Sequence, residues 1–223
     1  FVLEKPDAHW KEAGRLALPL GYGVSVSPPQ GLMLLGGSNA DGHYSDVVLL
    51  HYRNGKIAIE VLASLPFRLA NSCGALVGNK IYVAGGLTAP DSKNTEKAFL
   101  CFDLQKKEEG WKLLPAWPGA SRMMSVAGSD DKQFFLFSGG ELVNGSRVYL
   151  RDAYAFDERS GWKKLAELPH SVVAAPSLAY FKNAFYIFGG DTGKDAAKAS
   201  ELKENHPGFT DSILRYDIAK NSW

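Results

Sequence analysis

The chain has 223 residues, of which 45% are hydrophobic and 22% are charged. This composition supports a sizeable buried core and is not that of a disordered protein. The net charge of +1 gives no reason to expect a nucleic-acid partner or a membrane partner, and no apolar run approaches the roughly 20 residues that span a bilayer. The N-terminal residues 1–6 do not form a signal peptide pattern.

Residues 1–18 contain Trp10 and lead into the apolar segment Leu16-Ala17-Leu18-Pro19. The same order, a tryptophan followed by an apolar segment and a proline, returns further along the chain. We therefore predict that residues 1–18 form the last strand of a preceding sheet unit and that the sequence begins inside a repeat.

One pattern then occurs four times: an apolar run that stops at two glycines. The pairs start at residues 36, 85, 139 and 189, so successive pairs lie 49, 54 and 50 residues apart. Such runs favour strands buried on both faces, and paired glycines allow a sharp turn where a side chain would clash with a neighbouring unit. The spacing is close to the ~50 residues of kelch repeats.

Other anchors recur in the same order after each pair. The doublets are His51-Tyr52, Phe102-Asp103, Phe156-Asp157 and Tyr216-Asp217, the tryptophans are Trp111, Trp162 and Trp223, and the closing prolines are Pro19, Pro66, Pro118 and Pro169. Ile59 or Val61 takes the tryptophan position in the first full repeat. These anchors predict an all-β kelch β-propeller of four-stranded blades.

We place the four visible blades at residues 21–62, 72–114, 123–165 and 172–223, within a single propeller domain, or part of one, that covers residues 1–223. The fourth blade departs from the pattern because residues 191–210 form an insertion after its glycine pair. Residues 196–203 have the composition of a short helix. Such an insertion either covers a binding site or is a solvated loop.

Two closures of the propeller remain open. The segment around Trp10 pairs with the fourth blade and closes a four-bladed ring, or the chain is a four-blade portion of a longer propeller. An open arc exposes unpaired edges, which favour self-association.

Charged residues beside the anchors are the candidates for chemistry. Arg122 and Arg68 lie on loops that cross between blades, where a guanidinium can hold a carboxylate. Glu141 and Asp191, together with Asp41, follow or lie near glycine pairs, where a carboxylate can act as a general acid or base. The alternative for each is a salt link that ties blades together.

Metal-binding and redox motifs are not recognisable. The five histidines are scattered, and Cys73 and Cys101, which we expect to be buried small hydrophobic residues, have no metal-ligand spacing. We predict neither a metal nor an organic cofactor.

Several motifs resemble those of the sialic acid mutarotases, also called N-acetylneuraminate epimerases, in particular their cyclically permuted group. They are Leu20-Gly21-Tyr22-Gly23-Val24-Ser25-Val26, Ser64-Leu65-Pro66-Phe67 with the run before Gly85-Gly86, Trp117-Pro118-Gly119-Ala120-Ser121-Arg122, and Phe188-Gly189-Gly190-Asp191-Thr192-Gly193. The resemblance implies a six-bladed propeller that interconverts the anomers of sialic acid without a cofactor. It also implies a periplasmic or otherwise extracytoplasmic location.

The sequence departs from this family at the catalytic glutamate. The resemblance places that residue in a glycine-glutamate, lysine-proline-glycine, arginine-threonine stretch, which is absent. Gly140-Glu141 with Arg147 or Arg151 imitates its spacing, so Glu141 is the remaining catalytic candidate, and Arg122, Arg68, Asp191 and Arg151 are the substrate-binding candidates. We expect these residues alone to have no mutarotase activity. The alternative is a non-catalytic kelch module that binds a protein or glycan through its loops.

Overall fold

The computed structural model describes residues 1–205 and 207–223, and their strands form one main antiparallel sheet per repeat, with an additional hairpin in the third. The first sheet contains β1 (Val24–Val26), β2 (Leu32–Asn39), β3 (Gly42–Arg53) and β4 (Lys56–Val61), and the second contains β5 (Cys73–Val77), β6 (Lys80–Ala84), β7 (Phe99–Asp103) and β8 (Trp111–Leu113). Each is paired in chain order, which places β1 and β5 at one edge of their sheets and β4 and β8 at the other.

The third and fourth repeats carry additions between their second and third strands. The third has β9 (Val126–Ser129), β10 (Phe134–Phe137), the separate hairpin β11 (Gly140–Val143) and β12 (Ser146–Tyr149), then β13 (Ala153–Asp157) and β14 (Gly161–Lys164). The fourth has β15 (Ala179–Phe181), β16 (Ala184–Phe188), helix α1 (Ala199–Leu202) and β17 (Ile213–Asp217). The all-β kelch propeller predicted from the repeats is confirmed, whereas the domain limits and a total of six blades stay predictions.

Three apolar cores lie between successive sheets. The first is formed by alternate residues of β2 and β3, namely Met33, Leu35, Val47 and Leu49, packed on the second sheet. The second core is aromatic: Phe99 contacts Phe156 edge-on, with ring centroids 4.9 Å apart. The third joins the last two blades. Because each core is shared by two sheets, each blade depends on its neighbour for burial.

A chain of backbone hydrogen bonds connects the blades beside their innermost strands. Asn71 N–H donates to the Tyr22 carbonyl at 2.8 Å, Met124 N–H to Asn71 at 2.7 Å, and Ala174 N–H to Met124 at 2.9 Å. All four residues are left-handed, with φ between 52° and 59°. We call Tyr22, Asn71, Met124 and Ala174 the belt.

The recurring tryptophans also connect blades. Each indole N–H donates to a carbonyl of the preceding interblade loop, in the pairs Trp111–Ala63 at 2.8 Å, Trp162–Pro115 at 2.8 Å and Trp223–Ala166 at 2.9 Å. A buried indole needs a partner for its N–H, which explains why tryptophan recurs at this position.

In the third blade, the glycine pair that the sequence alignment predicts is not the structural equivalent of the other three pairs. The left-handed position is Gly36, Gly85 and Gly189 in three blades, but it is Ser138 (φ 54°) in the third, so Ser138-Gly139 is the equivalent pair. The Ser138 hydroxyl donates to the Leu150 carbonyl and accepts the Val172 N–H, both at 2.8 Å. These two bonds compensate the strain of a non-glycine residue there.

Residues 1–18 contain no strand; Val2 and Lys11 form only an isolated bridge. This differs from the predicted last strand of a preceding blade. The segment instead lies against the first sheet, where Ile57 N–H of edge strand β4 donates to the Ala13 carbonyl at 3.1 Å. A single backbone hydrogen bond does not form a strand ladder. The Trp10 side chain is 67% exposed.

The insertion of the fourth blade contains the predicted helix only as short turns. Helix α1 has four residues and is flanked by 3-10 turns at Ala196–Lys198 and Lys203–Asn205. His206 lies outside the described residues.

Replacing Gly85 by alanine should destabilise the protein far more than the same change at Gly78. Both glycines are left-handed, with φ of 65° and 56°, so each substitution carries a backbone cost of about 1–2 kcal/mol. A Cβ at Gly85 would lie 2.2 Å from the Arg122 carbonyl oxygen, whereas a Cβ at Gly78 meets nothing within 4 Å. We expect Gly85→Ala to lower the free energy of unfolding by about 2 kcal/mol more in urea denaturation. Equal losses would contradict this close approach.

Candidate functional site

Interblade loops and the loops after the glycine pairs meet on one side of the sheets, which we call the loop face. Four isolated bridges join them, one in each blade: Gly21 to Ser38, Ala70 to Leu87, Met123 to Gly140, and Val173 to Asp191. Each bridge connects the loop that enters one blade with the double-glycine turn of the same blade. The loop face is therefore rigidly tied to the sheets below it.

A small cleft opens beside the belt, between the first strands of the four blades. Its volume is about 230 Å³, and its lining includes one serine from each blade: Ser25, Ser72, Ser125 and Ser177. The remaining lining residues are small or short, which lets the strands converge here. Each blade thus contributes a serine to the lining of one cleft, although the Ser125 hydroxyl is already engaged, because it donates to the Ser138 carbonyl at 3.0 Å.

Arg122 lies on the loop face but is fully buried. Its Nη2 donates to Asp152 Oδ2 at 2.8 Å, its Nη1 to the Ser138 carbonyl at 2.9 Å, and its Nε to the Ala120 carbonyl at 3.3 Å. The guanidinium also lies over the rings of Trp117 and Tyr154. The salt link therefore joins the loop that enters the third blade to that blade, which is a structural role and not substrate binding.

Asp152 completes this buried network. Its Oδ2 also accepts the Tyr154 hydroxyl at 2.8 Å, and burial together with this carboxylate raises the pKa of Tyr154 to about 12. Asp152 Oδ1 is buried and has no hydrogen-bond partner among the described residues. Tyr154 therefore stays a hydrogen-bond donor at neutral pH.

Arg68 does not occupy the position equivalent to Arg122. The carbonyl of Leu69 accepts Gly37 N–H at 2.8 Å, as the carbonyl of Arg122 accepts Gly86 N–H at 2.8 Å. Leu69 is thus the equivalent residue, one position later than the sequence alignment predicts. Arg68 itself is exposed, so its guanidinium is accessible to a ligand.

Glu141 belongs to a polar cluster at the boundary of the second and third blades. Its Oε1 accepts the Ser121 hydroxyl at 3.2 Å, and Ser121 Oγ lies 2.8 Å from Thr95 Oγ1. Thr95 N–H also donates to the Leu142 carbonyl at 3.1 Å, which fixes the hairpin on the preceding blade. We call Thr95, Ser121 and Glu141 the hydroxyl–carboxylate cluster.

The two arginines predicted to partner Glu141 point elsewhere. In the β11–β12 hairpin, Glu141 pairs with Val148 and Leu142 pairs with Arg147, so Glu141 and Arg147 project from opposite faces. Arg151 is exposed, and its Nε donates to the Leu168 carbonyl at 2.8 Å. The glutamate–arginine spacing in the sequence therefore does not produce an ion pair.

Asp191 lies across the next boundary, between the third and fourth blades. Its Oδ2 accepts the Tyr149 hydroxyl at 2.7 Å and its Oδ1 accepts Gly193 N–H at 2.8 Å. Burial and the bond to Asp191 raise the pKa of Tyr149. A Cβ at Gly193 would lie 2.5 Å from the Tyr149 ring, so only glycine fits beneath it. Asp191 thus anchors the start of the insertion.

The sequence-based candidates divide into separate groups around the hairpin. Glu141 and Asp191 lie at different blade boundaries, and each takes a hydroxyl partner that the sequence pattern did not single out. Ser121 directly precedes Arg122, and Tyr149 lies two residues before Arg151. The short distance in sequence to a predicted arginine was the one feature that could have identified Ser121 or Tyr149 as a site residue.

Other reactive groups give little additional chemistry. Cys73 and Cys101 are free and buried, as expected, and burial raises their pKa values to about 12 and about 11. Within residues 1–205 and 207–223, no three acidic, histidine or cysteine side chains are grouped to hold a metal. The same residues include no helix of the length and hydropathy needed to cross a membrane.

Comparison with known proteins identifies the family of this chain. A family model described as N-acetylneuraminate epimerase matches residues 62–192, which is more than half of the chain. The chain belongs to the N-acetylneuraminate epimerase family. The matched residues include the second and third blades, the hydroxyl–carboxylate cluster and Asp191.

Individual relatives agree with this assignment at modest identity. An N-acetylneuraminate epimerase of Haemophilus influenzae (strain PittEE) is 27% identical over 182 residues, covering 71% of this chain and 47% of its own length. One of Brucella suis is 26% identical over 211 residues, covering 79% and 51%. A kelch domain-containing protein of Vibrio cholerae is 25% identical over 168 residues, covering 74% and 42%. The chain spans about half the length of these relatives.

Removing the Arg122 side-chain charge should strongly destabilise the fold. Arg122→Met leaves the Asp152 carboxylate without its cation, and breaking a buried pair costs about 3–5 kcal/mol. Lys164→Met is the matched control, because it breaks the exposed Lys164–Glu167 pair and should change stability by no more than about 0.5 kcal/mol. Urea unfolding of both variants measures the difference. Similar stability of the two variants would show that the Arg122–Asp152 pair does not stabilise the fold.

Proposed function

We propose that this chain forms the sugar-acid-binding loop face of a sialic acid epimerase, an enzyme that interconverts the anomers of N-acetylneuraminate. Membership of the N-acetylneuraminate epimerase family is the observation that carries the proposal. The polar loop face and the serine-lined cleft beside the belt support it, because a polyhydroxylated acid requires many hydroxyl and charged partners.

The proposed reaction requires only proton transfers. One group takes the proton of the anomeric hydroxyl, another protonates the ring oxygen as the ring opens, and the reverse steps close it on the other face. Such a cycle needs no metal and no organic cofactor. A cation near the sugar carboxylate orients the substrate and balances its charge.

The residues of the loop face fit these roles to different degrees. Glu141 offers the carboxylate for proton transfer, and the Ser121 hydroxyl orients it. Arg68 and Arg151 are exposed and offer cations for the substrate carboxylate. Arg122 is engaged at all three side-chain nitrogens, so we assign it a structural role in the loop that enters the third blade and not a substrate contact. Asp191 orients the insertion at the edge of the proposed site.

The resemblance also implies a compartment. We propose a periplasmic or otherwise extracytoplasmic location, which the kinship with bacterial epimerases supports.

Titration of the isotope-labelled chain with N-acetylneuraminate tests sugar binding. We expect saturable amide shifts at Ser121, Glu141 and Asp191, and weaker binding by Glu141→Gln because an ionised hydrogen-bond acceptor is lost. Glu108→Gln, a change at an exposed residue of the turn between β7 and β8, is the control and should bind normally. No shift at millimolar sugar, or shifts away from the loop face, would contradict sugar binding and leave the non-catalytic kelch module as the better description.

Anomer exchange is measured separately by proton NMR. The sequence predicts that these residues alone do not accelerate exchange, because the glutamate stretch of the family is not recognisable in them. Acceleration that is present in Glu108→Gln and lost in Glu141→Gln would overturn that expectation and assign the proton transfer to Glu141.

A further inference from the structure

The hydroxyl–carboxylate cluster crosses the boundary between two inner blades. Thr95 belongs to the loop between β6 and β7 of the second blade, whereas Glu141 lies on β11 of the third. Both blades have all four strands of their main sheets, and each packs against a neighbour on either side. The contacts of this cluster are therefore formed between complete, flanked blades.

Thr95 holds the hairpin at the residue next to Glu141. Its N–H donates to the Leu142 carbonyl at 3.1 Å, and its Oγ1 accepts the Leu142 N–H at 3.2 Å. The threonine hydroxyl thus takes the place that a backbone carbonyl has in a strand ladder. Thr95 is 7% exposed, so these bonds are shielded from water.

The same hydroxyl begins a directed series of hydrogen bonds toward Glu141. Ser121 donates its one hydroxyl proton to Glu141 Oε1 at 3.2 Å, because an ionised carboxylate only accepts. Ser121 Oγ lies 2.8 Å from Thr95 Oγ1 and must therefore accept the Thr95 proton. Since each hydroxyl has one proton, this is the direction that satisfies all three groups. Thr95 consequently fixes the orientation of the Ser121 hydroxyl.

One oxygen of the Glu141 carboxylate stays available. Oε1 is held by Ser121, while Oε2 accepts no hydrogen bond from the described residues. Glu141 is half-buried, and its Oε2 can be reached from solvent. A carboxylate that is held at one oxygen presents the other in a fixed direction, as an acceptor for a hydroxyl group of a ligand.

We propose that Thr95 is a positioning residue for Glu141 and acts on it through Ser121 and Leu142. This inference rests on the proposed function, in which Glu141 takes part in proton transfer. In this arrangement Glu141 is the accepting group, because the hydroxyls direct donors at the carboxylate and no acceptor that would hold a proton on it. The anomeric hydroxyl gives its proton to Oε2 and its O–H electron pair forms the carbonyl as the ring C–O bond breaks. The ring oxygen then takes a proton from a second group.

The side-chain order of Glu141 tests the positioning without any ligand. NMR relaxation of the Glu141 side-chain carbons is measured in the sugar-free chain. We expect Thr95→Val, which keeps the shape and loses the hydroxyl, to lower the order parameter, and Thr95→Ser to leave it near that of the unmodified chain. Thr88→Val is the matched control, because Thr88 lies in the same loop and does not belong to the cluster. Unchanged order in Thr95→Val, with the fold retained by circular dichroism, would overturn the proposal.

Titration with N-acetylneuraminate then shows whether Thr95 acts through Glu141. We expect Thr95→Val and Ser121→Ala each to weaken binding about two- to tenfold, as the loss of one hydrogen bond predicts. In a Glu141→Ala background, which has no carboxylate to position, Thr95→Val should cause no further loss, because residues that act through one group are not additive.

The outcomes separate this inference from the proposed function. Additive losses in the double variant would show that Thr95 only supports the fold and would overturn the inference, while sugar binding by the unmodified chain would still support the proposed function. Absence of binding by the unmodified chain would overturn the proposed function, and the order parameters of the sugar-free chain would still decide whether Thr95 positions Glu141.

Discussion

The close approach between a double-glycine turn and the carbonyl of the next interblade loop is the constraint on which the arc depends. At Gly36 and Gly85 a Cβ would lie 2.3 Å and 2.2 Å from the Leu69 and Arg122 carbonyl oxygens, so a side chain would separate adjacent blades. This approach aligns the loops that carry the belt, and the belt in turn sets where the innermost strands converge. The apolar cores between sheets then follow from alternating side chains.

Much of this architecture was predictable because it repeats. The apolar runs and the tryptophans recur along the chain, and the strands lie where they indicate. The prediction was wrong where residue identity alone was used to align the repeats. Gly139-Gly140 matches the other glycine pairs in sequence, but the residue in the equivalent left-handed conformation is Ser138. Backbone conformation there is decided by hydrogen bonds to Leu150 and Val172, which no local pattern reveals. The position of residues 1–18 was not predictable either, because no local sequence pattern indicates their backbone bond to the edge strand β4.

The candidate site was predictable only as a region. The sequence directs attention to the loops beside the glycine pairs, but residue roles depend on which way each side chain points. Arg122 turns inward to Asp152, and Arg147 leaves the hairpin on the face opposite Glu141. Their partners Ser121 and Tyr149 are common polar residues without a distinctive motif. The spacing of residues in the sequence does not show on which face of a hairpin a side chain lies. Contacts of this kind therefore could not be predicted from the sequence.

Ser138 distinguishes the junction of the last two blades from the other junctions. Elsewhere the double-glycine turn meets the next loop through rigid peptide groups, as at Gly37 with Leu69 and Gly86 with Arg122. At Ser138 the link to Val172 passes through a side-chain oxygen, which is buried and also donates to the Leu150 carbonyl. This contact between the last two blades therefore depends on the identity of one side chain, whereas the corresponding contacts at Gly37 and Gly86 depend on the backbone alone.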